Sequence, residues 1–242
     1  MAVPEPISII VPVFEEADNV SPMAREVTAA FASVPNDWEL VFVDDGSRDE
    51  TWARVTEAAR ANPRVRGVRH TRNAGQSAAL WTGIQQTERP LIATLDGDLQ
   101  NDPADLPRLL RELDSCDFAC GWRANRQDSW VRKVSSRLAR WARRTALNAE
   151  FRDTGCALRV FRRATLEGVF GFNGLHRFLP ILVAGGGFRV REIPVNHRAR
   201  VAGVSKYGVW NRLGRGLYDL VAIAWYQRRR FKSVPLERTP GA

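Results

Sequence analysis

The chain has 242 residues, of which 44% are hydrophobic, and a formal net charge of +9. This length and apolar content allow a well-buried core in one large α/β domain or two small ones, and we expect one. The positive charge should attract anions, whether phosphorylated substrates, anionic lipid or nucleic acid, although a solvated arginine-rich surface would give the same balance.

The three cysteines, Cys116, Cys120 and Cys156, lack the spacing typical of a zinc or redox centre, and their odd number argues against a secreted disulfide framework. A reducing cytosol is therefore expected. The segment Met1–Pro6 does not resemble a signal peptide. The apolar stretch Leu220–Tyr226 is far shorter than the ~20 residues that a membrane-spanning helix needs, so we expect no crossing of a bilayer.

Apolar runs alternate with helical spacing over the first hundred residues. The predicted elements are strand Ile7–Phe14, helix Asn19–Ser33, strand Glu39–Val43, helix Asp49–Ala61, strand Val65–Arg69, helix Gly75–Gln86 and strand Leu91–Leu95. Such alternation predicts an α/β fold with a mostly parallel central sheet covered by helices on both faces. Ligands of such sheets collect beyond the carboxyl ends of the strands.

The pattern becomes less regular after residue 98. The predicted elements there are helix Pro103–Leu113, strand Phe118–Gly121, an amphipathic basic helix over Ser129–Leu147, strands Cys156–Phe161 and Phe188–Ile193, a glycine-containing loop over Gly203–Tyr207 and helix Leu213–Tyr226. We expect a catalytic domain over residues 1–210, a basic amphipathic helix over 211–232 and a tail over 233–242.

Three acidic turns follow three different predicted strands: Glu15-Glu16, Asp44-Asp45 and Asp96-Gly97-Asp98. Because parallel strands end at one edge of the sheet, these turns should form one site. A nucleotide diphosphate leaves readily when a divalent ion held by carboxylates neutralises its charge, and Asp98 is the first candidate ligand. An isolated Asp-x-Asp is more often an ordinary turn, so its position carries the argument.

The Asp44-Asp45-Gly46-Ser47 turn is more specific, since adjacent carboxylates repel each other unless a hydrogen-bonding ligand or cation is present. One of the two aspartates would bind a base or ribose. The other would equally serve as a cap for the helix that starts near Asp49.

Four segments together resemble the family 2 glycosyltransferases, most closely the polyprenyl-phosphate branch that includes dolichol-phosphate mannose synthase. They are Val11-Pro12-Val13-Phe14-Glu15-Glu16, Val43-Asp44-Asp45-Gly46-Ser47, Arg72-Asn73-Ala74-Gly75 and Asp96-Gly97-Asp98-Leu99-Gln100. The resemblance covers Ile7–Tyr207. It implies a GT-A fold, inverting transfer and a Mg²⁺ or Mn²⁺ ion.

The resemblance also implies residue roles at the matched positions. Pro12, Val13 and Glu16 would line the nucleotide site, and Asp44 or Asp45 would contact the base or ribose. Metal and diphosphate would be held by Asp96, Asp98 and Gln100, with Gly97 admitting a close backbone approach. Two departures are Glu15, where the family often has Asn, and the lack of the membrane helices that usually follow the catalytic domain.

The second half of the chain supplies cations for phosphate groups. By resemblance, the acceptor phosphate would contact Arg123, Arg126, Arg132 and Lys133, and a loop with Arg198 or Arg200 and Ser205-Lys206 would close over the donor diphosphate. A phosphate monoester, with a second pKa of about 6, needs no dedicated base. Asp153 is the candidate if a base exists, but it would equally orient an acceptor-site arginine or cap a turn.

The C-terminal helix has an apolar face next to Arg228, Arg229, Arg230 and Lys232, which fits either the interface of an anionic membrane or packing on the domain. The leading hypothesis is transfer of a sugar from a UDP- or GDP-activated donor to polyprenyl phosphate. The enzyme would be peripheral at the cytoplasmic face of the membrane, on the lipid surface or on a membrane partner protein.

The alternative within the enzyme class is a soluble transferase acting on a glycan or another hydroxyl acceptor, which would make Asp153 essential. Nucleic-acid binding leaves the acidic turns unexplained, and we expect none. The sequence leaves open the sugar, the base and the oligomeric state, a homo-oligomer included.

Overall fold

The computed structural model describes residues 4–124, 150–198 and 210–230. In these ranges seven strands form one sheet in the order β3-β2-β1-β4-β6-β5-β7, and β6 runs antiparallel to both of its neighbours while the other pairs are parallel. The strands are β1 (Ile7–Val13), β2 (Trp38–Asp44), β3 (Val65–Arg69), β4 (Leu91–Thr94), β5 (Phe118–Arg123), β6 (Arg159–Arg162) and β7 (Val190–Val195).

Helices cover both faces of the sheet. They are α1 (Ala17–Ala30), α2 (Thr51–Ala61), α3 (Gln76–Gln85), α4 (Leu106–Glu112), α5 (Leu175–Gly185) and α6 (Trp210–Arg229), with short 3₁₀ turns at Pro103–Asp105 and Arg163–Leu166. The alternation of side chains along β1 shows the two layers: Ile9 packs with residues of α1, α2 and α4, whereas Ile10 packs with α3, α5 and α6. The predicted α/β architecture is confirmed.

Helix α5 is the main element that the sequence did not predict. Most of its residues are buried, Phe178 and Leu182 among them, and Pro180 lies inside it. Leu175, Phe178, Leu179, Leu182 and Val183 follow helical spacing, so a signal for this helix exists in the sequence, and Pro180, which usually ends or kinks a helix, is the residue that argues against it. The predicted strand at Cys156 begins only at Arg159, and the predicted helix Pro103–Leu113 is divided into a 3₁₀ turn followed by α4.

Helix α6 packs on the domain through one face. Ile223 is buried against the layer that contains α3 and α5, the Tyr226 hydroxyl donates to the Gly168 carbonyl, and Gln227 donates to the Ile181 carbonyl at 3.0 Å. No helix in the described ranges is long and apolar enough to cross a membrane. The three cysteines are buried free thiols. The predicted helix Ser129–Leu147 and loop Gly203–Tyr207 lie outside the described residues.

Candidate functional site

The three acidic turns meet at one edge of the sheet, as the parallel arrangement predicts. Val13 and Asp44 are register partners, and the backbone N–H of Glu15 donates to Ser47 Oγ at 2.9 Å. The backbone N–H of Glu16 donates to Thr51 Oγ1 at 2.9 Å. Hydrogen bonds between turns therefore fix the edge before any ligand binds.

Asp96 and Asp98 form a pair of like charges beyond the end of β4. Burial and the charge of Asp98 raise the pKa of Asp96 to about 6, although Arg159, Arg123 and a hydrogen bond from Gln76 oppose the shift. Gln76 Nε2 donates to Asp96 Oδ1 at 2.7 Å. A bound cation would relieve this repulsion, so the pair has the electrostatics of a cation site.

The donor set fits Mg²⁺ or Mn²⁺, which favour carboxylate oxygens and keep positions for substrate phosphates and water. Within the described ranges no cluster of three or more His, Cys, Asp or Glu side chains could hold an ion. The Gln100 backbone N–H donates to Asp98 Oδ1 at 3.2 Å, and its carbonyl accepts from the Arg198 backbone at 2.9 Å. The metal role of Asp96, Asp98 and Gln100 stays a prediction.

Asp45 is satisfied by the protein itself. Its Oδ1 accepts from the Ala74 backbone at 2.9 Å and lies 2.7 Å from His70 Nδ1, and its Oδ2 accepts from the Gly75 backbone at 2.7 Å. The carboxylate thereby holds the Arg72–Gly75 loop against the turn after β2. Its predicted contact with a base or ribose stays a prediction, and the geometry gives it a structural task.

Asp44 is fully buried. One oxygen accepts from the Ser47 backbone at 3.0 Å, and the other lies 3.0 Å from Arg69 Nε. Neither Asp44 nor Asp45 caps helix α2, because Asp49 accepts from the Thr51 backbone at its start. The N-cap residue itself, Glu50, makes no side-chain capping hydrogen bond, and the bond from Thr51 goes to Asp49 one residue earlier.

Three other predicted nucleotide-site residues have distinct surroundings. Pro12 lines a cavity next to Asp96, whereas the side chain of Val13 is buried in the core. Glu16 accepts a hydrogen bond from Asn19 Nδ2. A Cβ added to Gly97 would lie 2.8 Å from Val13 Cγ1, so this glycine is required for close packing on β1. Its predicted close approach to a ligand stays untested.

The cavity beside Asp96 has a volume of about 240 Å³. Strands β1, β4 and β6, helices α3 and α5, and the segments next to β4 and β6 contribute the residues that line it: Pro12, Gln76, Leu80, Thr94, Leu95, Asp96, Gly155, Ala157, Arg159, His176 and Arg177. This volume is below the range of about 300–1,000 Å³ that is common for drug-sized ligands. The cavity therefore suits one compact polar group next to the acidic pair.

Arg123 and Asp153 form a bidentate ion pair close to this cavity. Arg123 Nε donates to one carboxylate oxygen at 2.6 Å and Nη2 donates to the other at 2.9 Å. Burial opposes the charged carboxylate, but Arg123 outweighs it and the pKa of Asp153 is lowered. The structure thus brings together the two residues that the sequence placed in the acceptor region, and it gives Asp153 the task of orienting an arginine.

Arg198 is engaged by carboxylates: Nη1 lies 2.6 Å from Glu26 and Nη2 lies 2.8 Å from Asp102. Its predicted contact with the donor diphosphate stays a prediction. The remaining predicted phosphate-binding residues lie outside the described residues: Arg126, Arg132, Lys133, Arg200, Ser205 and Lys206.

Several cavity or near-cavity residues were missed from the sequence, among them Gln76, Ser77, Arg159 and His176. A signal existed for Arg159, because a charged residue within the apolar run Cys156–Phe161 must be buried or face a ligand. Helix α5, which carries His176, was itself not predicted, so nothing in the sequence pattern placed that residue near Asp96.

Sequence relatives are polyprenyl-phosphate sugar transferases by name. Dodecaprenyl-phosphate galacturonate synthase of Rhizobium johnstonii is 40% identical over 92% of this chain and 67% of its own length. Undecaprenyl-phosphate 4-deoxy-4-formamido-L-arabinose transferase of Edwardsiella ictaluri is 37% identical over 89% of this chain and 66% of its own length. The chain thus spans about two thirds of these relatives.

Solved structures share the fold. Glucosyl-3-phosphoglycerate synthase of Mycobacterium tuberculosis, in complex with Mn²⁺, UDP-glucose and phosphoglyceric acid, has a TM-score of 0.66 at 16% identity, covering 92% of this chain and 79% of its own. A mannosyltransferase of Pyrobaculum calidifontis with GDP-mannose and Mn²⁺ has a TM-score of 0.63 at 18% identity, covering 96% and 66%. The family model described as glycosyl transferase family 2 matches residues 8–170, so the chain is a glycosyltransferase of that family with a GT-A fold.

Proposed function

We propose that this chain transfers a sugar, with inversion, from a nucleotide diphosphate sugar to the phosphate of a polyprenyl phosphate. The observation that carries the proposal is the position of Asp96. Its carboxylate interacts with the like charge of Asp98 and borders a cavity of about 240 Å³. The cavity is also close to the Arg123–Asp153 pair, because Gly155, which lines it, donates to Asp153 Oδ1 at 3.1 Å.

In this proposal Asp96 and Asp98 hold Mg²⁺ or Mn²⁺ together with the donor phosphates. When bound, the ion neutralises charge that develops on the leaving nucleoside diphosphate. Gln76 fixes the orientation of Asp96, and the backbone of Gln100 fixes that of Asp98. The carboxylates are thereby preorganised, which lowers the cost of arranging them when the donor binds.

The acceptor side is supported by the names of the relatives and by the geometry of Arg123. Asp153 occupies Nε and Nη2 of Arg123, while Nη1 makes no hydrogen bond to a described residue. That nitrogen is a donor for an acceptor phosphate oxygen. Since a phosphate monoester, with a second pKa of about 6, is mostly dianionic near pH 7, it attacks without a protein base. The ionised, arginine-bound Asp153 fits such a reaction.

The test is a transfer assay with Mn²⁺ or Mg²⁺, a panel of UDP- and GDP-sugars, and either polyprenyl phosphate or a soluble hydroxyl acceptor. We expect transfer to polyprenyl phosphate only, with a polyprenyl glycosyl phosphate as the product. Transfer to the hydroxyl acceptor alone would replace the lipid acceptor in the proposal. Consumption of no nucleotide sugar would refute it.

We further propose that the outer face of α6 binds the cytoplasmic surface of an anionic membrane. Tyr218, Val221 and Trp225 are each more than 60% exposed on this helix, and Arg228 and Arg229 follow them. Apolar and aromatic side chains beside arginines match the interfacial region of a bilayer that carries negative lipids. This placement would bring the enzyme to a lipid acceptor.

Vesicle co-sedimentation tests this placement. The protein should bind vesicles of phosphatidylglycerol and phosphatidylcholine more tightly than phosphatidylcholine alone, and Trp225→Ser combined with Val221→Ser should weaken binding about tenfold or more. Equal binding by the double variant would contradict the assignment of this face.

A further inference from the structure

Elements from both sides of β4 in the sheet line the cavity beside Asp96. Pro12 of β1 and Gln76 of α3 come from the side of the nucleotide-site turns, whereas Arg159 of β6 and His176 at the start of α5 form the far wall. If the diphosphate of the proposed donor is held at Asp96 and Asp98, a cavity bordered by Arg159 and His176 is the place for the transferred sugar.

His176 lines this cavity, and its ring contacts the hydroxyl of Ser77. Its Nδ1 lies 2.6 Å from Ser77 Oγ, and Ser77 Oγ also accepts from the Gly174 backbone at 3.0 Å. Nε2 of His176 makes no hydrogen bond to a described residue. Because Nδ1 is used by Ser77 and the residue lines the cavity, Nε2 is the ring nitrogen available to a molecule there.

The surroundings of Ser77 decide which nitrogen carries the proton. Ser77 is buried, and its hydroxyl proton has no acceptor among the described residues other than His176 Nδ1. Because buried hydroxyls are almost always satisfied, Ser77 donates to Nδ1, and the proton of the neutral ring is on Nε2. Burial, with the charges of Arg177 and Arg159, lowers the pKa of His176 to about 3, so the ring is neutral near pH 7.

Arg159 fixes the backbone of the same wall. Its guanidinium is almost completely buried, and Nη2 donates to the carbonyl of His176 at 2.6 Å and to that of Thr154 at 3.1 Å. These bonds join the first turn of α5 to the loop that carries Asp153. The position of the His176 ring relative to Asp96 is therefore set by buried contacts and not by a mobile side chain.

We propose that His176 determines which sugar is transferred, by donating a hydrogen bond from Nε2 to an oxygen substituent of the donor sugar, with Ser77 holding the ring in the donating tautomer. The inference rests on the proposed function. The oxygen belongs to a hydroxyl or a ring carboxylate, since both accept from a neutral N–H. A polar group placed to bond one substituent rejects sugars that lack it, because the buried donor is then left unpaired.

The experiment compares wild type with His176→Ala, His176→Gln and Ser77→Ala, and with Ser115→Ala, an exposed serine substitution, as control. Each protein is assayed with UDP-glucose, UDP-galactose, UDP-glucuronate and UDP-galacturonate, and the Kd of UDP with Mn²⁺ is measured separately. Neutral and carboxylate-bearing donors in the panel separate the two kinds of oxygen.

We expect His176→Ala to lower kcat/KM for the preferred donor about 10- to 100-fold and to reduce its preference over the other three, with the Kd of UDP unchanged. His176→Gln, which retains an N–H donor, should recover part of the preference. Ser77→Ala should give an intermediate loss, and Ser115→Ala none.

Two results would overturn the inference while leaving the proposed function in place. One is an unchanged order and ratio of donor preference in folded His176 variants. The other is a weakened Kd for UDP that accounts for the whole loss, which would show a general structural role. If the wild type uses none of these four, the variants are compared on the donor that it does use in the wider panel of UDP- and GDP-sugars, and failure with every donor of that panel would instead refute the proposed function.

Discussion

Two acidic turns that resemble each other in sequence differ in what neutralises their charge. The carboxylates of Asp44 and Asp45 are buried. Asp44 accepts from the Ser47 backbone and forms an ion pair with Arg69, and Asp45 accepts from the backbone of the Ala74-Gly75 loop. Asp96 borders a cavity, and burial together with the charge of Asp98 raises its pKa to about 6. Groups of the protein neutralise the carboxylates of the first turn, whereas a bound cation would reduce the repulsion between those of the second.

This difference separates a structural from a ligand-binding role better than the residue types do. Both turns place aspartates after an apolar strand, and both include a glycine that packs closely, Gly46 or Gly97. Asp45, whose oxygens accept two backbone hydrogen bonds and contact His70, has less capacity left for a ligand than a carboxylate that borders a cavity. The contrast predicts that substitutions in the two turns affect different measurements.

The largest effect is expected from Asp98→Asn. Loss of one carboxylate of the pair should lower kcat at saturating donor by at least about 100-fold. The reason is that the metal ion, which would neutralise the diphosphate, loses an anionic ligand. The Tm should not fall, since the substitution also removes a like-charge repulsion. Metal-dependent kinetics and thermal unfolding check this, and wild-type activity would reject the metal assignment.

Arg123→Met tests the proposed contact of Arg123 with the acceptor phosphate and removes the partner of Asp153. We expect kcat/KM for polyprenyl phosphate to fall about 10- to 100-fold while the Kd of UDP is unchanged. The exposed Arg54→Met is the matched control. A loss of UDP affinity instead would place Arg123 on the donor side.

The same variant predicts a pH dependence. Arg123 lowers the pKa of Asp153 below its ordinary value of 3.8. The ion pair therefore stabilises the folded protein fully above pH 3.8, and this stabilisation is lost as the pH falls through the lowered pKa of Asp153. The difference in Tm between wild type and Arg123→Met should therefore narrow below about pH 4.

Asp45→Ala should act on stability. It leaves the backbone N–H groups of Ala74 and Gly75 without their acceptor, which should lower the free energy of unfolding by about 1–3 kcal/mol. Denaturant unfolding measures the loss, and Asp45→Asn, which keeps one acceptor oxygen, should retain part of it. A stable variant that no longer binds UDP would show that Asp45 contacts the nucleotide.

The smallest effects come from the two glycines. Gly46 has φ +73°, and an added Cβ would lie 2.5 Å from the Arg72 carbonyl carbon, so Gly46→Ala should cost more than about 1 kcal/mol of stability. In Gly97→Ala the added Cβ would lie 2.8 Å from the Val13 side chain and 3.0 Å from the Pro12 carbonyl. Compared with Gly46→Ala, this substitution should lower the free energy of unfolding less and kcat/KM more. If Gly97→Ala were the less stable variant and Gly46→Ala the less active one, the division into a structural turn and a ligand-binding turn would be wrong.

The sequence determined the parallel half of the sheet and the meeting of the acidic turns. Strand β3 was predicted with its observed bounds, and β1, β2 and β4 within one residue at each end. Short apolar runs that end in Asp or Glu are local signals, and parallel strands must end at one edge. The catalytic domain boundary at residue 210 and the site roles remain predictions.

Only the tertiary structure decided how each carboxylate is used and what forms the far wall of the cavity. The partners of Asp45 lie 25 to 30 residues away, and Arg123 is 30 residues from Asp153. The apolar residues of helix α5 have helical spacing, but spacing alone does not show that the helix brings His176 to the cavity beside Asp96. Residue types and spacing specify strands and turns, but hydrogen bonding between distant segments determines which charges are left for a ligand.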